Sequence, residues 1–390
     1  MSKDYMKFQS VTIDYLRPLL AIMVVGLHVR PYYSDGTEMF ANGLYDASII
    51  MVFRILFSLA VPTFFLISGY LFFKTLQTWD LTIWKGKICK RAKSLLVPYI
   101  LWNIIAFIGF IITRKAGQII KGNSSFDLIS LLSERGWIRI FWDRCLYGEI
   151  KPDSINLLGI AVGTGTPMNE PTWFLRDLMI VILFTPVIYF LIRKAGRLFI
   201  LLTGILFCID LWIPFTGFSV KSFFMFSLGA WFCINQKSML DSFRRFPVLN
   251  YVSAFIFLVI ASLSFNANRW IFTLSSRLFI LCGIPSLFCM VSNMISVRKK
   301  EASPLFSSFV DSSFLVYLMH TVLVTDAIHW LLSLVSDSPN RVIMFVMLVL
   351  NTLLVYLTCH CFYMLLKKYS PWLLTLLTGN RIQSEKRYIL

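Results

Sequence analysis

Charge is scarce in this chain. Only 15% of its 390 residues are Asp, Glu, Lys or Arg, while 57% are hydrophobic. A soluble globular domain is about a quarter charged, so an ordinary water-facing surface is excluded. Mean hydropathy is +0.72. Acidic residues are scarcer still, 20 against 37 Lys and Arg. The resulting +17 does not indicate nucleic acid, because the cations sit in short loops between apolar segments. The eight cysteines form no CxxC pair and no metal-ligand spacing. Most fall in apolar segments, where Cys is a small buried hydrophobe, and Cys145 stands alone in a loop, so neither a disulfide framework nor a metal site is expected. No internal repeat is visible, which weighs against an inverted-repeat transporter.

What the chain has is apolar length. Ten spans are expected, at 11–33, 49–74, 94–114, 173–193, 197–214, 219–236, 247–266, 270–297, 313–336 and 342–366. The fold expected is an all-α, polytopic membrane helix bundle occupying 1–390 as one domain, with the lipid bilayer as its surroundings. Cations follow the even-numbered spans: Lys85, Lys87, Lys90, Arg91 and Lys93; Arg193, Lys194 and Arg197; Lys237, Arg244 and Arg245; Arg298, Lys299 and Lys300; Lys367 and Lys368. The loop at 34–48 carries Asp35, Glu38 and Asp46 instead. The positive-inside rule then makes both termini cytoplasmic and the membrane the inner (plasma) membrane. The long segment 115–172 is basic yet outside, as long translocated loops escape the rule. It is read as a lid or acceptor platform, with apolar patches at 129–132 and 138–142. The first span resembles a signal peptide only in position; charges interrupt it and Arg30-Pro31 replaces a cleavage site.

That first span holds Asp14, Arg17 and His28. An ionisable group at mid-membrane costs roughly 2.5–3.5 kcal/mol on insertion scales, so such groups line sites or cavities. From Arg17 to His28 is eleven residues, close to a whole number of helical turns, so both point from one face. The offset is roughly 16 Å along the axis, about half the bilayer core. Asp14 lies one turn before Arg17. Histidine also titrates where a general base for a hydroxyl needs to. Pro18 either bends this helix or marks its start.

Further features accumulate. Ser68 and Gly69, amid bulky residues in PTFFLISGYLF, allow a close backbone approach or a helix break. KGKICKRAKSLLVPY leads into the third span. Trp173 in PTWFLRDL is placed to anchor at the outer interface. SSFLVYLMH sets Tyr317 and His320 one turn apart. His360, between Cys359 and Cys361, is read as packing, since adjacent helical positions diverge by 100°. Arg54, Arg176, Asp177, Asp210, Arg277, Asp326 and His329 fall in the outer halves of their spans, either as ion pairs or as an acceptor pocket facing His28.

In this order, DYLRPLLAIMVVGLH, FFLISGYLF, KRAKSLLVPY, TWFL and VYLMH resemble the acyltransferase-3 family of integral membrane O-acyltransferases, across residues 8–365. The resemblance implies transfer of an acyl group, usually acetyl from acetyl-CoA, to a hydroxyl of a surface glycan or glycolipid outside the cytoplasm. The family's basic-x10-His motif maps onto Arg17 and His28, and FFxxSG onto Phe64, Phe65, Ser68 and Gly69. His28 is thereby the general base, with Asp14 beside it in the catalytic set. Donor phosphates fall to Arg17, Lys90, Arg91 and Lys93, with Ser68 in the donor site and no metal. Arg17 is either a phosphate ligand or the partner of Asp14. The family's RxxR pair is absent; Lys90-x-x-Lys93 and Arg91-x-x-Ser94 stand nearest, and lysine lacks the bidentate fork of arginine. The acceptor set expected is Arg54, Trp173, Arg277, Tyr317 and His320. The alternative is a glycan or lipid transporter or flippase, for which the same polar face would line a path.

Overall fold

A computed structural model describes residues 3–30, 44–74, 80–120, 139–142, 155–157, 160–162, 165–213, 215–298, 303–335 and 340–380. Asp35, Glu38, Cys145, Lys299, Lys300 and the patch at 129–132 lie outside them. Among the described residues, regular structure is helical except for one antiparallel pair of strands, β1 (Ile155–Leu157) with β2 (Ile160–Val162), in whose register Asn156 is paired with Ala161. In chain order the helices are α1 (Lys3–His28), α2 (Leu44–Ile49), α3 (Ala60–Phe73), α4 (Leu81–Arg91), α5 (Val97–Ile120), α6 (Arg139–Trp142), α7 (Trp173–Leu183) and α8 (Thr185–Cys208). They continue with α9 (Val220–Ile234), α10 (Met239–Arg244), α11 (Pro247–Ser264), α12 (Arg269–Arg298), α13 (Pro304–Met319), α14 (Thr325–Val335), α15 (Arg341–Tyr369) and α16 (Pro371–Thr378).

Among the described residues, seven helical stretches are long and apolar enough to cross a membrane, so the protein is a membrane helix bundle. They match the expected spans one, two, three, seven, eight, nine and ten. The expected fourth and fifth spans fall on α7 and α8, which together form a path bent by 61° and make an eighth span if counted as one. Within α8, Gly196 leaves the helical region at φ 45°, between those two expected spans. The expected sixth span is α9, whose 15 residues rise roughly 22 Å, short of a bilayer core of about 30 Å.

Pro62 and Pro98 have no N–H to return to the carbonyl four residues back. A π turn, Ala92–Leu96, ends two residues before Pro98, and the chain before Pro62 passes through a π turn, Ile50–Leu56, and then a 3-10 turn, Phe57–Leu59. Pro18, by contrast, sits inside an unbroken α1. The helix begins well before it, so Pro18 is not its start.

Ser68-Gly69 marks a close approach. A Cβ on Gly69 would overlap the Phe226 carbonyl, and a Cβ on Gly229 would overlap the Leu66 carbonyl. The two glycines dock α3 against α9 backbone to backbone, the small-residue contact that packs helices in lipid. At the periphery, α11 packs on α12 and turns Phe255 (67% exposed) and Leu263 (77% exposed) outward, as a lipid-facing surface requires. Helix α1 sits inside the bundle against α3, α12, α13 and α15.

One interruption shapes the site. Helix α13 ends at Met319, and Val322 (ψ 85°) and Leu323 (φ 66°) leave helical geometry before α14 begins. A leucine at positive φ is strained, and such strain persists where surrounding structure over-determines it. Thr325 Oγ1 donates to the His320 carbonyl at 2.7 Å, satisfying part of the opened ladder. The expected ninth span is therefore a broken helix.

Candidate functional site

Helix α1 touches two cavities at different depths. Arg17 lines one together with Arg91, Ser68, Phe64, Phe314 and Tyr317. His28, at the C-terminus of α1, lines the other with Asn169, Glu170, Thr321 and Asp326. The charge face read from the sequence is thus divided between two compartments.

In the first cavity, Arg17 Nη1 lies 2.9 Å from Asp14 Oδ1. Distance makes this an ion contact, yet Nη1 has no hydrogen bond of acceptable angle among the described residues. Arg17 therefore touches Asp14 and still presents N–H groups to the cavity. Asp14 belongs to this compartment, one turn from Arg17 and roughly 21 Å of helical rise from His28. Arg91 closes the basic side of the cavity and is half-buried. Lys90 and Lys93 point to the exterior and line neither cavity. Where the sequence offered three cations, Arg91 is the one brought beside Arg17. Apolar walls from Leu71, Leu95 and Leu178 complete a slot with a cationic mouth.

In the second cavity, His28 Nδ1 is 2.8 Å from the Val24 carbonyl. A carbonyl only accepts, so this nitrogen carries the proton and donates. His320 is fully buried, with its Nδ1 3.1 Å from the Val316 carbonyl and therefore also protonated there. Its Nε2 then holds a lone pair, 3.3 Å from His28 Nδ1, and accepts a share of that N–H. The rings meet edge to face, 5.0 Å between centroids. Both tautomers follow from the carbonyls they face, and they leave Nε2 as the basic nitrogen of His28.

A clamp that sequence reasoning missed holds this arrangement. Asn169 Nδ2 donates to the Leu318 carbonyl and Thr321 Oγ1 donates to Asn169 Oδ1, each at 2.8 Å. Asn103 Oδ1 accepts from the Asn169 backbone N–H at 2.8 Å, and its amide donates to Thr172 Oγ1. Tyr317 donates to the Pro171 carbonyl at 2.5 Å. The segment 169–172 is thereby bonded to α5 and to the chain leading into the helix break, at Tyr317, Leu318 and Thr321. The available signal was Asn103, a buried amide in an apolar run.

The remaining expected residues divide. Tyr317 and His320 stand between the two cavities, Tyr317 on the Arg17 side and His320 against His28. Trp173 and Arg277 line a third cavity, with Arg176, Asp177, Asp210 and Lys221. Arg54 is exposed and lines none of the three. Of the proposed outer group, Asp326 pairs with Arg30 at 3.6 Å on the His28 cavity. His360 packs on Phe309 and meets Ser312 Oγ at 2.9 Å. Near the third cavity, the described parts of the 115–172 segment are tied down: Met168 N–H donates to Ile140, Tyr99 donates to Phe141, and Arg176 reaches the Trp142 and Gly165 carbonyls.

The sequence of this membrane bundle is similar to that of known proteins. Residues 11–360 match the acyltransferase domain of the acyltransferase-3 family, and the chain belongs to that family. It is similar to the succinoglycan biosynthesis protein ExoH of Rhizobium meliloti (strain 1021), 29% identical over 244 residues. That match covers 60% of this chain and 57% of ExoH, so the chain spans little more than half the length of this curated relative. No solved structure matches.

Proposed function

We propose that the protein transfers an acyl group, acetyl from cytoplasmic acetyl-CoA, to a hydroxyl of a glycan or glycolipid on the opposite side of the plasma membrane. The observation that carries the reading is the division of α1 between two cavities, with Arg17 in one and His28 in the other. Arg17 and Arg91 offer planar forks to the phosphates of CoA, with Ser68 beside them. The apolar slot above them suits a pantetheine arm, and the roughly 16 Å rise from Arg17 to His28 is within its reach. At the top, the acceptor hydroxyl gives its proton to His28 Nε2 as its oxygen attacks the thioester carbonyl. The carbon–sulfur bond then breaks, the thiolate takes the proton back from His28, and an ester remains on the acceptor. His320 keeps the His28 Nδ1–H in place and shares the charge that forms on the ring. The glycan acceptor is supported by the similarity to ExoH, whose name gives succinoglycan biosynthesis. Both termini in the cytoplasm follow from the basic loops.

The test uses vesicles containing the purified protein and enclosing an oligosaccharide, with acetyl-labelled acetyl-CoA added to the CoA-facing side. Ester label on the glycan in the opposite compartment is the expected result. Glycan that crosses the membrane without consumption of acetyl-CoA would replace this reading with transport. Ester formed only on the CoA side would end the cross-membrane mechanism.

A further inference from the structure

The third cavity has no part in the chemistry above, and its composition is specific. Its walls include Trp173, Trp212, Phe215 and Phe218, and its floor carries the hydroxyls of Thr216 and Ser219. Three cations and two carboxylates face it. Arg176 is satisfied: Nε and Nη2 hold Asp177 Oδ1 at 3.1 and 3.0 Å, and Nη1 reaches two carbonyls. Arg277 Nη2 holds Asp210 at 2.6 Å. Lys221 is left over. Among the described residues no carboxylate lies within ion-pair distance of it; Asp210 and Asp177 act on it only from farther off, while each already holds an arginine, and its Nζ stands 6.0 Å from the Trp173 ring. Lys221 also occupies the first turn of α9, where the helix dipole is already positive and a cation is disfavoured. A structural lysine gains nothing from that position. A bound anion gains from the lysine, the guanidinium of Arg277 and the helix terminus together.

The cavity adjoins that of His28. The chain from Gly165 to Trp173 runs between them: Thr166 and Trp173 face the third cavity, while Met168, Asn169 and Glu170 face His28. Glu170 and Trp173 are one 3-10 turn apart, roughly 6 Å of rise and close to the width of one sugar ring.

We propose that this cavity is a second acceptor subsite that takes a negatively charged sugar unit, its ring against Trp173 and Trp212 and its anionic oxygens on Lys221 and Arg277. The inference rests on the glycan reading above and adds the charge of the substrate. Aromatic faces with a few placed polar groups are the composition of a ligand site, and the unbalanced cation selects the acidic ligand over the neutral one. The anionic oxygens belong either to a carboxylate on the sugar or to the diphosphate that tethers a glycan to its lipid carrier.

The test is equilibrium binding to the full chain in nanodiscs, read by tryptophan fluorescence. The probes are a neutral glucose oligosaccharide, one of equal length containing glucuronate, and an isoprenoid diphosphate. An anionic probe is expected to bind roughly tenfold or more tighter than the neutral one, the scale of one charge-assisted hydrogen bond. Lys221→Gln removes that margin, Lys221→Arg keeps it, and the unfolding temperature of both variants stays at the parent value. Dependence on Lys221 for the glucuronate probe assigns a sugar carboxylate; for the diphosphate alone, it assigns the carrier. Equal binding of all three probes, or a margin that survives Lys221→Gln, overturns the proposal. Binding that depends on Lys221 without any ester product would leave the subsite standing and remove the acyl-transfer reading instead.

Discussion

The Arg17 and His28 cavities share α1 and are built on opposite plans. The first is walled mainly by helices that run past it, α1, α3, α7 and α13, and its lining mixes apolar side chains with Arg17, Arg91, Asp311 and a few neutral polar groups. The second is made of ends and interruptions: the C-terminus of α1, the 169–172 turn and the break after His320. Inside a membrane, backbone polar groups are available only where a helix stops. The His28 cavity uses them: the Val24 and Val316 carbonyls fix the tautomers of both histidines.

The contrast breaks most sharply at His28. His28→Ala is expected to lower acyl transfer by about 10²–10⁴, the usual loss of a general base, with donor affinity unchanged in an equilibrium binding assay. Loss of donor binding in that variant would merge the two cavities into one functional unit. Arg17→Lys is the converse. It keeps the charge facing Asp14 and removes the fork, so the KM for acetyl-CoA should rise roughly tenfold while kcat holds, the value of one charge-assisted hydrogen bond. A fall in kcat alone would move Arg17 out of the donor site. His320→Ala removes one acceptor from His28 but leaves the Val24 carbonyl in place, so kcat should drop by roughly three- to tenfold, the range of a single net hydrogen bond. A loss as large as that of His28→Ala would make His320 a reacting group. The smallest effect is expected for Lys90→Gln with Lys93→Gln. Both side chains are exposed, and surface changes of this kind stay within about 0.5 kcal/mol in stability. A raised KM for acetyl-CoA there would return phosphate binding to the exterior lysines.

The Arg17 cavity was largely legible in the sequence because most of its residues lie on regular helices. Eleven-residue spacing put Arg17 and His28 on one face, and helical periodicity alone delivers that. Ser68-Gly69 gave a choice between close approach and break, and only the partner Gly229, 160 positions away, decides it. The basic stretch offered three cations, and only tertiary packing distinguishes Arg91, which lines the cavity, from the exposed Lys90 and Lys93. The His28 cavity was legible only at His28 and His320. The ties from Asn169 to Leu318 and Thr321 join positions about 150 apart, and no local pattern announces them. The break at Val322–Leu323 has no Gly or Pro to signal it, since tertiary contacts impose it. The count of about ten spans is not matched for a similar reason: among the described residues seven or eight stretches are long and apolar enough, with a 61° bend between α7 and α8 and a short α9 where three plain crossings were expected.

The Gly69–Gly229 contact bears on how the molecule can move. A dovetail of this kind has one register. Displacing α3 along α9 by a single residue brings Ser68 or Tyr70, or Leu228 or Ala230, to a place where no Cβ fits. Sliding between these two helices is therefore closed as a route of entry to the donor slot. The slot's other margin is differently made: Asn380 lines it just beyond α16, and Gly379, at φ 66°, rests on Ser94 and Pro98. Helix α16 is held there by more than the glycine: Trp102 Nε1 donates to the Leu377 carbonyl at 3.0 Å, and Leu374 and Leu377 are buried in the core, so a keyed pair of helices fixes one margin of the slot and a short packed helix the other.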